Sequence, residues 1–274
     1  MGRAEFIHIS DVHYQKRYSP MVDRLTARTG VGITEQFAKG MAFIRGRYPR
    51  TGFFLLSGDL VHEGAEEEYQ EFQRAWIEAS GGAQLYAVPG NHDRDAFGAV
   101  FAREGDAPPF DSEHRHASGL RILAMDSRGG KHESGSLDEG QLRWLAEKLP
   151  PGSGRDTILL LHHTPHISGE EEFLTYQMEN PTELYEVVKD SGLLAIFCGH
   201  THMAYSTRFG DIPCYTAGSI THSIECGMDS MTLGNRTGFH RCVFDNGRLD
   251  VEYVDIVPEK LAEVTIDYSE FEEA

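Results

Sequence analysis

Leu194-Ala195-Ile196-Phe197-Cys198-Gly199-His200-Thr201-His202 is the stretch that decides the fold. Its apolar part is too short for a helix and ends at a glycine, so it reads as a buried strand. Two histidines follow directly past the carboxyl end of that strand. The same construction recurs along the chain. Residues 6–9 lead to Asp11-Val12-His13, residues 53–56 to Gly58-Asp59, residues 85–88 to Gly90-Asn91-His92-Asp93, and residues 158–161 to His162-His163. Residues 122–125 are a further run of this kind. Residues 212–216, 240–244 and 249–254 read as later strands, and Asn246-Gly247 between the last two is a hairpin turn pair.

Helical spacing fills the intervals. Phe37, Met41, Ile44 and Tyr48 share one face, with Thr34 as N-cap. Tyr69, Phe72 and Trp76 mark a second helix behind Glu66, Glu67 and Glu68, whose charges suit a helix start. Leu142, Leu145 and Leu149 mark a third. Leu184, Val187 and Val188 mark a fourth, opened by Pro181 and closed near Gly192. Strands alternating with helices predict an α/β fold with largely parallel pairing, and the hairpin-rich end adds antiparallel strands. No internal repeat or low-complexity linker divides the chain, so residues 1–274 are expected to form a single domain. The acidic end from about 259 either packs or frays.

Composition narrows the function. The 274 residues carry 25 Lys+Arg against 43 Asp+Glu, a formal net charge of −18. That field disfavours long nucleic acid and anionic membranes as partners, while leaving room for a small phosphorylated substrate. Many carboxylates also suit a protein that holds metal ions. Cys198, Cys214, Cys226 and Cys242 form no C-x-x-C pair, which argues against a zinc knuckle and for buried, reduced thiols in a cytosolic protein. The amino end has no apolar leader. Gly2 is present, but Phe6 stands where a myristoylation signal takes Ser or Thr. No apolar run approaches the ~20 residues of a membrane helix. A cytoplasmic location is therefore expected, and a homo-oligomer is compatible with these features.

In open α/β sheets ligands bind beyond the carboxyl ends of the strands. Five such ends here deliver His, Asp and Asn. Residues i and i+2 of an extended segment point the same way, which groups Asp11 with His13 and His200 with His202. The glycines before Asp59, Asn91 and His200 allow sharp turns. Asp11, His13, Asp59, Asn91, His162, His200 and His202 are more donors than one ion needs. They predict two divalent or mixed-valence ions sharing one carboxylate, with Mn, Fe, Zn or Co all suited to the donor set. Ions so placed sit roughly 3.5–4 Å apart.

The ordered series D-x-H, G-D, G-N-H-D, H and G-H-x-H resembles the calcineurin-like metallophosphoesterase family. Its G-N-H-D, H-H-x-P and G-H-x-H blocks are similar to the class III cyclic nucleotide phosphodiesterase branch, which includes glycerophosphodiesterases. The resemblance implies a four-layer αββα sandwich of two mixed sheets flanked by helices. It implies that Asp11, His13 and His202 hold one ion, that Asn91, His162 and His200 hold the other, and that Asp59 bridges. It further implies hydrolysis of a small phosphodiester by a hydroxide between the ions, with His92 touching a phosphate oxygen or protonating the leaving group. A phosphomonoesterase or promiscuous phosphatase would use the same site, and a non-catalytic binding scaffold would keep only the fold.

Some positions depart from the pattern or stay open. His62 stands where many relatives carry an acid supporting the catalytic histidine, so Asp93 or the substrate is expected to take that part. Of the adjacent pair, His162 directly follows its strand and is taken as the ligand, with His163 as a supporting or satisfied polar residue. His222 either reaches the substrate from a late loop or has no role. Lys16, Arg17, Arg24 and Arg28 form either a solvated loop or an anion-gathering lip. His114, His116 and His132 are expected to be ordinary, and residues 226–235 to form a mobile substrate loop.

Overall fold

The computed structural model describes residues 2–15, 20–101, 108–131, 133–165 and 177–272. From the amino end run β1 (Arg3–Ile9), α1 (Pro20–Thr29), α2 (Ile33–Arg47), β2 (Phe53–Ser57), α3 (Glu66–Ser80), β3 (Gln84–Val88) and α4 (Ala96–Phe101). Next come β4 (Ser112–Arg115), β5 (Arg121–Ala124), α5 (Glu139–Lys148), β6 (Thr157–Leu160), α6 (Pro181–Val188) and β7 (Ala195–Cys198). The rest is β8 (Tyr205–Phe209), β9 (Ile212–Thr216), β10 (Ser223–Cys226), β11 (Ser230–Gly234), β12 (Thr237–Asp245), β13 (Arg248–Ile256), β14 (Glu263–Asp267) and α7 (Ser269–Glu272).

One sheet has the order β13-β12-β1-β2-β3 and a second has β4-β5-β6-β7-β9-β8. Pairing is parallel along β1-β2-β3 and along β5-β6-β7-β9, and antiparallel at β12, β13, β4 and β8. The strand FFLLS of β2 is buried throughout, and its alternation explains how. Phe53 and Leu55 point between the sheets, where Phe6, Ile122, Leu160 and Phe197 meet them. Phe54 and Leu56 point outward onto Phe37, Met41, Phe72 and Trp76 of α2 and α3. On the far side, Leu145, Leu184 and Val188 cover Leu159, Leu161 and Ile196 of the second sheet. Helix, sheet, sheet and helix are thus four layers, and strands buried on both faces read as unbroken apolar runs. Each such side chain contributes roughly 1.5–3 kcal/mol by leaving water.

The helices differ from expectation mainly at their ends. Gly32, in extended backbone, caps α2, and Thr34 already lies inside it. The first turn of α3 carries Glu66, Glu67 and Glu68, and Glu68 Oε2 accepts from the Ala65 amide at 2.6 Å. At α5, Asp138 and Gln141 cap each other's amides at 2.8 and 3.0 Å. Gly46 lies in α2, exposed, with open space around its Cα. Gly46→Ala is therefore expected to stabilise the protein by roughly 0.5–1 kcal/mol, seen as a raised urea midpoint.

Residues 226–235 are not an irregular loop. They form most of the β10–β11 hairpin, to which β14 adds a third antiparallel strand. Within the acidic end, Val264 and Ile266 of β14 pack on Val22, Leu25 and Ile33. Arg24 pairs with Glu270 at 2.7 Å, and Arg28 Nη1 donates to the Glu263 carbonyl at 2.7 Å, so neither offers an anion lip. Lys16, Arg17 and His132 lie outside the described residues. His114 and His116 bond Ser112 and Ser118 at 2.9 Å each. All four cysteines are free, and Cys226 is exposed rather than buried. Among the described residues no helix is long and apolar enough to cross a membrane.

Asp111 illustrates the cost of a buried carboxyl. It accepts from the Asp126 amide at 2.9 Å and from Gln141 at 3.0 Å, yet burial pushes its pKa up to about 6. Between about pH 4 and 6 the folded chain keeps a proton that the unfolded chain has released. Stability therefore falls with rising pH across that window, by at most roughly 3 kcal/mol. Urea titrations at pH 4 and pH 7 are expected to show this fall in the wild type and a smaller one in Asp111→Asn, where Asp93, also raised to about 6 by burial, still contributes.

Candidate metal centre

The carboxyl ends of β1, β2 and β3 in one sheet meet those of β6 and β7 in the other. Asp11, His13 and His202 bring donor atoms within 4.8 Å of one another, as do Asp11, Asp59 and His162, and also His162, His163 and His200. Asp59 Oδ2 lies 3.4 Å from His13 Nε2 and 3.4 Å from His162 Nε2. His162 Nε2 is also 2.9 Å from Asn91 Oδ1, and the Asn91 amide is held in that orientation by donating to Glu133 at 2.8 Å. His202 Nε2 sits 3.6 Å from Asp11 Oδ1 and 2.9 Å from His13 Nε2. The His200 ring stands 5.0 Å from that of His162, and its amide donates to the Asp11 carboxylate. All seven sequence-predicted donors come together.

The backbone does this by a different route from the one expected. Asp11 and His13, like His200 and His202, lie past their strands in left-handed conformation, at φ 52°, 46°, 76° and 55°. Among the described residues, seven non-glycine residues have positive φ, and Asp59 makes five of them donors of this cluster. Such residues cost of order 1–3 kcal/mol each where the conformation is strained, and they gather at functional sites. Of the three glycines, only Gly58 turns through positive φ, at 96°. Gly90 and Gly199 are there for space. A Cβ on Gly90 would strike Asp59, and one on Gly199 would strike Ser10 and Asp11.

Hydrogen bonds fix the tautomers. His162 Nδ1 donates to the Ser57 carbonyl at 2.6 Å, and His202 Nδ1 donates to the His222 carbonyl at 3.1 Å. A carbonyl only accepts, so both rings turn Nε2 toward the cluster, the arrangement a metal-ligating imidazole needs. His222 thus acts through its backbone. Its own ring is buried, with Nδ1 3.1 Å from Thr221 Oγ1 and its centroid 4.7 Å from that of His202. His163 gives Nδ1 to Ser127 Oγ at 2.8 Å, while its Nε2 is buried with no hydrogen bond among the described residues.

Charge follows from this crowding. Burial alone would raise the Asp59 carboxyl, but the imidazoles of His162 and His13 hold it well below the usual range. Burial raises Asp11 despite His202 and His162. For His162, burial is outweighed by the Asp59 carboxylate, and the pKa rises to about 9. A proton there occupies the place a cation would take, and metal binding releases it. Burial, then His162, takes His200 down to about 3. N and O donors that are buried or half-buried, two imidazoles in fixed tautomers, two carboxylates, and the 2.9 Å approach of two Nε2 atoms fit a pair of first-row divalent ions.

His92 stands at the rim. Its amide donates to Asp59 Oδ1 at 2.9 Å, and its side chain is 23% exposed. Asp93 does not support it. That carboxylate instead accepts from the amides of Leu60, Val61 and Gly90 and from the Tyr69 hydroxyl at 2.6 Å, tying the β2 and β3 loops together. The carboxylates near His92 are Glu63, 3.9 Å from Nδ1, and Glu133, 3.5 Å from Nε2. Glu63 is itself held by Arg94 at 2.7 Å. Glu133 lies in a loop with no motif around it, so nothing in the sequence marked it.

Two packed mixed sheets thus carry the donors at the carboxyl ends of their parallel strands. Among solved structures, purple acid phosphatase from yellow lupin seeds superposes with TM-score 0.64 at 14% identity, over 97% of this chain and 54% of that one. GAP50 of Plasmodium gives 0.58 at 14% identity, over 97% and 89%. At such identities these likenesses speak for the fold alone. Residues 4–204 match the calcineurin-like phosphoesterase family, and the chain belongs to it. Its relatives include the cAMP/cGMP dual specificity phosphodiesterase of Mycobacterium tuberculosis, 29% identical over 86% of this chain and 73% of that protein. A probable cyclic nucleotide phosphodiesterase of Rhodococcus erythropolis is 27% identical over 86% and 77%. The glycerophosphodiester phosphodiesterase of Enterobacter lignolyticus is 26% identical over 79% and 77%.

Proposed function

We propose that this chain hydrolyses small phosphodiesters, of the cyclic nucleotide or glycerophosphodiester kind, at a two-metal centre. The observation that carries the reading is Asp59 Oδ2, equidistant at 3.4 Å from an imidazole of each donor set. Asp11, His13 and His202 form one set, Asn91, His162 and His200 the other, and Asp59 belongs to both. When bound, such a pair of ions supplies a nucleophile at neutral pH and neutralises charge on the phosphoryl oxygens. The chain's part is to hold these donors in place, with Nδ1 of His162 and His202 fixed on carbonyls. His92, anchored through its amide on Asp59, presents its ring at the rim to protonate the leaving oxygen.

Support for a small diester comes from the relatives' named substrates and from charge. Glu63 and Glu133 flank His92, and the whole chain carries −18, which repels a long polyanion. The test is a panel of cyclic nucleotides, glycerophosphodiesters and nucleotide monoesters with manganese-reconstituted protein. Bis(p-nitrophenyl) phosphate and p-nitrophenyl phosphate serve as the chromogenic pair. Diesters are expected to turn over faster. A strong monoester preference would replace this reading with a phosphomonoesterase on the same site. Absence of both metal and hydrolysis would leave a binding scaffold.

A further inference from the structure

Three imidazoles of the centre have Nδ1 tied to a partner outside it, except that the partners differ in kind. For His162 and His202 it is a backbone carbonyl, an acceptor under all conditions. For His13 it is another imidazole, with Nδ1 3.0 Å from His62 Nδ1. A carbonyl dictates the tautomer of the ring it holds, whereas an imidazole can either give or take the shared proton.

The direction of that proton depends on the centre. His202 presents a lone pair at Nε2, because its Nδ1–H is spent on the His222 carbonyl. His13 Nε2 lies 2.9 Å from His202 Nε2 and 3.4 Å from Asp59 Oδ2. For His13 to present a bare Nε2 to a cation, its Nδ1 must carry the proton, and His62 Nδ1 must accept it across the 3.0 Å bond.

Resting on the metal centre proposed above, we infer that His62 is the positioning residue of the first metal subsite, accepting at Nδ1 the proton that His13 carries at Nδ1. The stacking of His62 on His92, with centroids 4.4 Å apart and planes 23° apart, holds the His62 ring for this bond. His62 therefore acts on His13, and its place in the sequence is filled by an imidazole because that subsite uses a side chain where the others use the main chain.

The test is manganese binding to metal-free protein by calorimetry, with wild type, His62→Ala and His62→Asn compared. Asparagine can place Oδ1 near the position of Nδ1 and accept from His13; alanine cannot. Loss of an orienting partner typically weakens metal affinity 10–100-fold. His62→Ala is expected to lose that much at one of two sites, and His62→Asn to stay near wild type, with thermal melts checking that each variant folds. In zinc-loaded wild type, ¹⁵N spectra are expected to show the His62 proton at Nε2, with Nδ1 as acceptor. Two ions bound equally tightly by His62→Ala, equal weakening by both variants, or a loaded-state His62 proton found at Nδ1 would each overturn the inference while leaving the two-metal centre standing. Wild-type protein that binds no manganese would instead overturn the centre itself.

Discussion

Asp59→Asn is expected to lower diester turnover by on the order of 10³-fold or more with the fold retained. Oδ1 of this residue accepts from the His92 amide at 2.9 Å, and Oδ2 faces His13 and His162 at 3.4 Å each. Asparagine can keep the first bond only by turning its NH₂ toward those two imidazoles. It then offers hydrogens where an acceptor stood, and it removes the negative charge common to both donor sets. Several kilocalories per mole of transition-state charge stabilisation depend on two ions held together, and about 4 kcal/mol corresponds to a thousandfold in rate. Metal content should fall below two equivalents in the same samples. Folding should survive, because His162, raised to about 9 by Asp59, can shed its proton once that carboxylate is gone. Undiminished turnover with two bound ions would remove Asp59 from the shared position and with it the main support for the proposed chemistry.

How much of this was legible in the sequence depends on which physical signal each part leaves. Strands buried on both faces announce themselves as apolar runs, and 53–56, 158–161 and 194–197 all lie at or across the observed strands β2, β6 and β7. The edge strands of the second sheet do not. β4 reads Ser-Glu-His-Arg and β8 Tyr-Ser-Thr-Arg-Phe, half-exposed and polar, so no run betrays them. The third sheet escaped because its apolar residues, Leu233, Val264 and Ile266, come from distant segments that only tertiary packing unites with α1. The hairpin at Asn246-Gly247 was readable because both residues must adopt positive φ, observed at 49° and 80°.

At the site, residue types were legible and supporting contacts were not. Seven donors follow strand ends in a fixed order, which composition by chance does not produce. That Ser57 and His222 lend carbonyls, or that Asp93 is consumed by three amides and a tyrosine, depends on loop geometry that no motif encodes. Asp11 groups with His13 as i, i+2 spacing predicts, but left-handed residues rather than a pleat turn the two side chains inward.

That last point makes the glycines a sharp test, and Gly90→Ala is the strongest case. Gly90 has no positive φ, so alanine meets no conformational penalty there. Its Cβ would instead lie 2.6 Å from the Asp59 amide nitrogen and 2.8 Å from Asp59 Cγ. A flexible side chain could yield, but the main chain at Asp59 is pinned. The His13 amide donates to the Asp59 carbonyl at 2.9 Å, and Asp93 holds both the Leu60 and Gly90 amides. Relief must come from separating the β2 and β3 loops, which costs about 1–3 kcal/mol for overpacking of this size. The same movement displaces the shared carboxylate, and a misplacement near 1 Å is enough to lose roughly 10²-fold in rate. Gly90→Ala is thus expected to lower the urea midpoint and diester kcat together, whereas Gly46→Ala raises the midpoint and leaves kcat alone. Were Gly90→Ala to match wild type in both, the two loops would have slack that the close approach of Gly90 to Asp59 does not allow, and the tight positioning assigned to that carboxylate would fall.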